Sequence, residues 1–308
     1  MVQDVTIFGI DLTLNPVAFT LPFGGGWKVY WYGIIIALGF MLAIIYGMIN
    51  AKRLGIDPDR LIDVILVATP VAVLCARLYY IIFSDTLKIA DFFDFSGGGF
   101  AGLAIYGGVI GAFLSGALMC LVRKIKILDA FDLAAIGFLI GQGIGRWGNF
   151  VNQEAFGAAT GSDWFGMISP SVEAVLGKGE LAHPCFLYES IWCLVGVYLL
   201  HRRSKKRLFS GEIILSYCVW YGFGRAFIEL LRTDSLYLGA IRVSSLLSFL
   251  LCVGSAVALY VIRRKIKNPV PSDEEYVPMF ADIMKESTEE AQPQETNESE
   301  EEINGEDN

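Results

Sequence analysis

The stretch best equipped for chemistry is Gly145-Arg146-Trp147-Gly148-Asn149-Phe150-Val151-Asn152-Gln153-Glu154-Ala155-Phe156-Gly157. Arg146 and Asn149 are three residues apart and share one face of a helix. A guanidinium offers a planar fork of donors that suits phosphate, and Asn149 and Asn152 can hydrogen-bond ester or hydroxyl oxygens. Glycines on both sides allow backbone or ligand to come close. A lone arginine at a helix end would read as snorkelling into an interface. Two asparagines and Glu154 within the next eight residues turn the reading toward a binding site. A second cluster places Arg225 and Glu229 one helical turn apart, with Arg232 following on the same face. The pair neutralises itself, and the extra arginine leaves positive charge that can hold an anion.

Other polar groups carry weaker signals. Tyr106 precedes Gly107-Gly108 and is the one residue in that apolar run suited to meeting a substrate; the small residues at four-residue spacing after it (Gly107, Gly111, Ser115 and Gly108, Ala112, Gly116) read as helix-packing faces. His183-Pro184 opens another apolar run, with His183 read as a wet interfacial residue and Pro184 as a helix starter. Glu189 and Arg77 stand where they could pair across helices in a structural role. Trp31-Tyr32-Gly33 reads as part of an aromatic belt. The two histidines, and six cysteines without a CxxC or Cys/His ligand spacing, point to no metal, no cofactor and no disulfide framework.

These groups must be positioned by membrane helices. The chain has 308 residues, 54% hydrophobic and 18% charged, with a mean hydropathy of +0.52. A soluble domain would carry about a quarter charged residues, so an ordinary soluble globule is excluded. Runs of about twenty apolar residues predict seven transmembrane helices near 29–49, 61–83, 101–122, 130–149, 185–201, 211–231 and 243–262. The first 28 residues lack the basic start and cleavage site of a secretory signal, so the first span is expected to be retained. Lys and Arg concentrate after spans one, three, five and seven, which sets the N-terminus outside and the C-terminus in the cytoplasm. The fold expected is an all-α polytopic membrane protein with a small extracytoplasmic cap drawn from 84–99 and 150–184. The short basic loops on the other side suit anionic lipid headgroups.

The formal net charge of −8 is misleading. Residues 268–308 hold 14 of the 32 Asp and Glu and only Lys285 among the 24 Lys and Arg. Residues 1–267 are therefore mildly basic and form the membrane domain, while 268–308 read as a disordered acidic cytoplasmic tail. No nucleic-acid partner is expected.

The run from Gly145 to Gly157 resembles the signature of prolipoprotein diacylglyceryl transferases. The likeness extends to Trp31-Tyr32-Gly33, the glycines after Tyr106, His183-Pro184 with Leu187-Tyr188-Glu189, and Arg225 with Glu229, covering roughly 28–265. It implies an enzyme of the bacterial cytoplasmic membrane that moves the diacylglyceryl group of phosphatidylglycerol onto the lipobox cysteine of a prolipoprotein. A thioether forms and glycerol-1-phosphate leaves. On the matching positions, Arg146, Asn149, Glu154, Gly157, Tyr32, Arg225 and Glu229 are expected to bind phosphatidylglycerol, with Arg146, Arg225 and Tyr106 at the chemistry. Tyr106 departs from the histidine found there in many relatives. A phenol is too weak a base at neutral pH to take a thiol proton, so Tyr106 is expected to orient substrate, and a nearby arginine to favour the thiolate. The competing class is a transporter of an anionic or lipid substrate. The lack of internal repeats and the clustering of polar groups at one end argue against it. A retinal photoreceptor fails because 243–262 contain no lysine.

Overall fold

The computed structural model describes residues 3–22, 26–84, 92, 102–233, 237–238 and 241–266. The acidic tail and nearly all of the 84–99 loop lie outside these residues. The chain is mostly helical. The long helices are α1 (Trp31–Ala51), α2 (Pro58–Ile82), α3 (Ile105–Val122), α4 (Ile127–Asn152), α6 (Cys185–Ser204), α7 (Glu212–Leu231) and α8 (Val243–Lys265), with a short α5 (Pro170–Leu176) between α4 and α6. Six of them, all but α6, are long and apolar enough to cross a membrane. The apolar run of α6 is broken by Glu189, and its last turn carries His201, Arg202 and Arg203. The chain is thus an all-α polytopic membrane protein in its main architecture.

The predicted runs coincide with the seven long helices, with edges displaced by a few residues. Helix α2 starts at Pro58, where proline suits the first turn, behind an Asp57 cap whose carboxylate accepts from the Asp59 N–H at 3.1 Å. Helix α4 continues to Asn152 and stops where Gln153 turns left-handed, at φ 56°.

Short strands, absent from the sequence reading, sit ahead of α1 and between α4 and α5. Strands β1 (Gln3–Ile7) and β2 (Ile10–Leu14) form an antiparallel hairpin with Val5 opposite Leu12. Its two-residue turn, Phe8-Gly9, takes positive φ at both positions, which matches the twist of the flanking strands. Strand β5 (Met167–Ile168) adds to the free side of β1, and β3 (Val17–Leu21) pairs with β4 (Trp27–Tyr30), which runs into α1. Val5, Met167, Val172 of α5 and Ala182 bury themselves against Phe150 and Phe186, fastening this layer onto the facing ends of α4 and α6.

The long helices pack as α1 with α4, α2 with α3, α4 with α6, and α7 with both α6 and α8. Small residues permit the close approaches. Gly107 and Gly111 lie so near Cys75, Ala76 and Tyr79 of α2 that a Cβ would clash, as expected of a packing face. Trp192 and Trp220 stack at 4.1 Å between α6 and α7, and each indole N–H donates to the other's carbonyl at 3.0 Å.

The end opposite Arg146 is fastened by ion pairs. Buried Asp132 of α4 accepts from the backbone N–H groups of Gly211, Ile213 and Ile214, each at 2.9 Å, and from Arg207 at 3.0 Å. It therefore satisfies the first turn of α7 from a neighbouring helix. Asp129 also holds Arg207 (2.6 Å), Asp63 holds Arg123 (3.0 Å), and buried Glu212 holds Arg203 (2.7 Å) and Arg263. Basic residues expected to face lipid headgroups are thus partly committed to internal carboxylates. Removing Asp132 leaves three amides at the start of α7 short of their acceptor and Arg207 with Asp129 alone. Asp132→Ala is expected to destabilise the fold by about 3–5 kcal/mol, read as a lowered thermal midpoint in detergent micelles.

Candidate active site

At the Arg146 end, α4, α7 and the residue that follows α7 bring three arginines onto one carboxylate of α6. Glu189, one turn into α6 and 3% exposed, receives Arg146 Nη2 of α4 on Oε2 at 2.8 Å. Its Oε1 receives Arg225 Nη1 of α7 at 2.9 Å and Arg232 Nη1 at 3.2 Å. Arg225 uses its other terminal nitrogen on Glu229 Oε2 at 2.6 Å, as the spacing predicted. Arg242, just before α8, donates to the Glu229 carbonyl. Three guanidinium groups therefore meet two buried carboxylates, and a fourth sits on the backbone of one of them. This surplus of positive charge in a site of low dielectric is what an anionic ligand needs.

Arg146 also reaches Asn149 Oδ1 at 3.3 Å, and Asn149 Nδ2 donates to Glu154 Oε1 at 2.8 Å, with Asn152 Nδ2 at 3.5 Å from the same oxygen. Backbone geometry turns Glu154 back toward α4: the residues flanking it, Gln153 and Ala155, both adopt positive φ, and the Glu154 N–H donates to the Asn149 carbonyl at 3.0 Å. Tyr32 lies against Gly148, where a Cβ would meet its ring. Arg146, Asn149, Glu154 and Tyr32 are thus one neighbourhood.

Below them opens a cavity of about 650 Å³ between the α1/α4 and α2/α3 pairs. Tyr32, Arg146 and Asn149 line one end, and almost all of the remaining wall is apolar. A charged mouth above a long apolar slot is the shape of a site for an anionic lipid.

Some expected residues fall elsewhere. Gly157 donates its N–H to the His183 carbonyl at 2.9 Å and faces His183, Cys185 and the Leu231 carbonyl too closely for any Cβ. Its place is structural: it stitches the loop after α4 to the start of α6 and, through its bridge with Arg232, to the end of α7. Tyr106 stands half exposed on the first turn of α3, with its ring 6.4 Å from that of Tyr79. The pairing expected between Glu189 and Arg77 is replaced. Glu189 takes the three arginines, and Arg77 donates to the carbonyls of Phe92 and Gly102. The reason is position: Arg77 belongs to the α2/α3 pair, whereas Glu189 faces α4 and α7. His183 Nδ1 lies 3.2 Å from the Tyr188 hydroxyl. The sequence reading missed Glu189 as the centre and Arg242 as a member. The available signal was a carboxylate in the first turns of an apolar helix, which asks for cationic partners without naming them.

The fold and the site define a multi-pass helical membrane protein with a cluster of arginines and carboxylates beside a cavity at one end. The sequence model of the family described as prolipoprotein diacylglyceryl transferase matches residues 16–261. The chain is 44% identical over 263 residues to a phosphatidylglycerol–prolipoprotein diacylglyceryl transferase of Pediococcus pentosaceus, covering 82% of this chain and 91% of that protein. It is 44% identical over 268 residues to the Streptococcus sanguinis protein of the same name (83% and 98% covered) and 38% identical over 265 residues to that of Clostridioides difficile (84% and 100%). The chain belongs to the prolipoprotein diacylglyceryl transferase family.

Proposed function

We propose that this protein transfers the diacylglyceryl group of phosphatidylglycerol to the lipobox cysteine of prolipoproteins in the bacterial cytoplasmic membrane. The observation that carries the reading is the single space in which Arg146 and Asn149 stand over a long apolar cavity, beside a carboxylate ringed by arginines. The phosphate sits against Arg146, and an acyl chain runs down the slot. The cysteine sulfur attacks the glyceryl carbon that carries the phosphate ester. A carbon–sulfur bond forms, the carbon–oxygen bond breaks, and its electron pair leaves on the phosphate of glycerol-1-phosphate. Arg146 stabilises the charge that collects there. Arg225 keeps both terminal nitrogens on carboxylates, so it contributes by its field and by fixing Glu189. The thiol proton leaves to a base other than Tyr106, helped by the local positive potential.

In this reading the membrane domain is 1–267 with seven spans, α6 being the seventh, and 268–308 form the acidic tail. The N-terminus is outside, the strands and α5 form the extracytoplasmic cap, and the prolipoprotein arrives with its signal helix in the same bilayer. A membrane location suits α6 because Glu189 is neutralised by arginines from neighbouring helices.

The test mixes purified protein in vesicles with glyceryl-labelled phosphatidylglycerol and a lipobox peptide, alongside its Cys→Ser counterpart. Label is expected on the cysteine peptide alone. Label crossing sealed vesicles without any on peptide would support transport instead. Tyr106→Phe is expected to keep turnover within about tenfold, the loss of one ordinary hydrogen bond. A complete loss with unchanged donor binding would return the phenol to the proton chemistry.

A further inference from the structure

The cavity has a closed floor. At the end remote from Arg146 it is bounded by Leu61, Val64, Cys120 and Leu133, all buried and all members of one packed cluster. From Arg146 to Leu133 is about 20 Å along α4, and from Ile105 to Cys120 about 22 Å along α3, at the helical rise. One leaflet of hydrocarbon is about 15 Å deep. The slot therefore runs past the depth at which a lipid chain ordinarily ends, and it ends against packed side chains. Its volume of about 650 Å³ is ample for one acyl chain with its glyceryl group. Small residues keep the slot open midway. Ala68 of α2 and Gly116 of α3 lie side by side in its wall, and a Cβ at Gly116 would meet the Ala68 Cβ at 3.9 Å. A Cβ at Gly141, nearer Arg146, would meet nothing within 4 Å.

We propose that this slot gauges the length of one acyl chain of the lipid donor, with Ala68 and Gly116 setting the depth it admits. The proposal rests on phosphatidylglycerol as donor. The physical basis is steric. A chain leaving the bilayer for the slot gains little from extra methylenes, since both surroundings are equally apolar. Selection comes from the floor, where a chain too long for the slot must buckle.

The experiment compares dipalmitoyl- and didecanoyl-phosphatidylglycerol as donors, each carried in phosphatidylcholine vesicles, with the lipobox peptide as acceptor. The wild-type protein is expected to use both. Gly116→Leu raises the floor and is expected to lower kcat/KM for the dipalmitoyl donor at least tenfold while leaving the didecanoyl donor within twofold. Ala68→Leu, from the adjacent helix, is expected to reproduce that pattern and stands in should the first variant fail to fold. Gly141→Leu, only five residues from Arg146, is expected to impair both donors. Equal loss of both donors, or of neither, in a folded Gly116→Leu or Ala68→Leu protein overturns the gauge while leaving the transfer reaction in place. Wild-type protein that transfers from neither donor overturns the donor assignment, and the gauge with it.

Discussion

Glu189→Gln is expected to lower turnover at least a hundredfold in a protein that still inserts and folds. The substitution keeps the shape and removes one negative charge from the point where Arg146, Arg225 and Arg232 converge. Two unit charges 4 Å apart interact by about 4 kcal/mol at an effective dielectric of 20, so three guanidinium groups without their carboxylate no longer hold one arrangement. Arg146 is the most affected, because Glu189 fixes the terminal nitrogen that Asn149 does not. Loss of a preorganised donor costs about 10²–10³ in turnover. Glu189→Asp keeps the charge but withdraws it by one methylene, and it is expected to fall between the two. Arg232→Gln removes only the longest of the three contacts, 3.2 Å, and is expected to cost less than Glu189→Gln. Steady-state label transfer with each variant, beside a thermal midpoint to show folding, separates these outcomes. Near-normal turnover by folded Glu189→Gln would mean that the arginines are held by something other than this carboxylate.

The helices were legible because an apolar run of about twenty residues has few structural options in a bilayer, and their ends because proline, glycine and polar caps leave local marks. The Arg225–Glu229 pair was legible for the same reason: its geometry lies within one helix turn. Glu189 was not. Its partners come from α4, α7 and the segment beyond α7, and nothing local distinguishes a carboxylate that will meet three arginines from one that will meet Arg77. Gly157 shows the converse. Its motif position suggested contact with substrate, whereas its backbone is needed to join three segments that only the fold brings together. The strands before α1 do leave a mark, since Asp4-Val5-Thr6-Ile7 and Ile10-Asp11-Leu12-Thr13-Leu14 alternate polar with apolar residues, but runs of five residues are outweighed by apolar runs of about twenty. The cavity was hidden for a related reason: small residues along α3 mark close packing equally well whether the neighbour is another helix or an open slot. Gly107 and Gly111 meet α2, while Ala112 and Gly116 line the cavity.

The second large effect concerns Arg146 itself. Arg146→Ala is expected to reduce kcat/KM by about 10²–10³, and Arg146→Lys to recover little of it. Arginine serves two partners at once, through an ion pair with Glu189 Oε2 at 2.8 Å and a hydrogen bond to Asn149 Oδ1 at 3.3 Å, and its remaining N–H groups are left for the ligand. Lysine keeps the charge as a point on a flexible stem and lacks the planar fork that meets two acceptors together. If it stays on Glu189, the phosphate loses its donor; if it turns to the phosphate, the pairing with Glu189 is lost. Kinetics assign the role. An arginine that only binds the donor raises KM and leaves kcat alone, whereas one that stabilises charge forming on the departing phosphate lowers kcat. The developing charge lies on the oxygen whose bond to carbon breaks, beside the surplus of guanidinium groups, so the fall is expected mainly in kcat. An Arg146→Lys protein with normal kcat and a raised KM would reduce Arg146 to a headgroup anchor and move leaving-group stabilisation to Arg225.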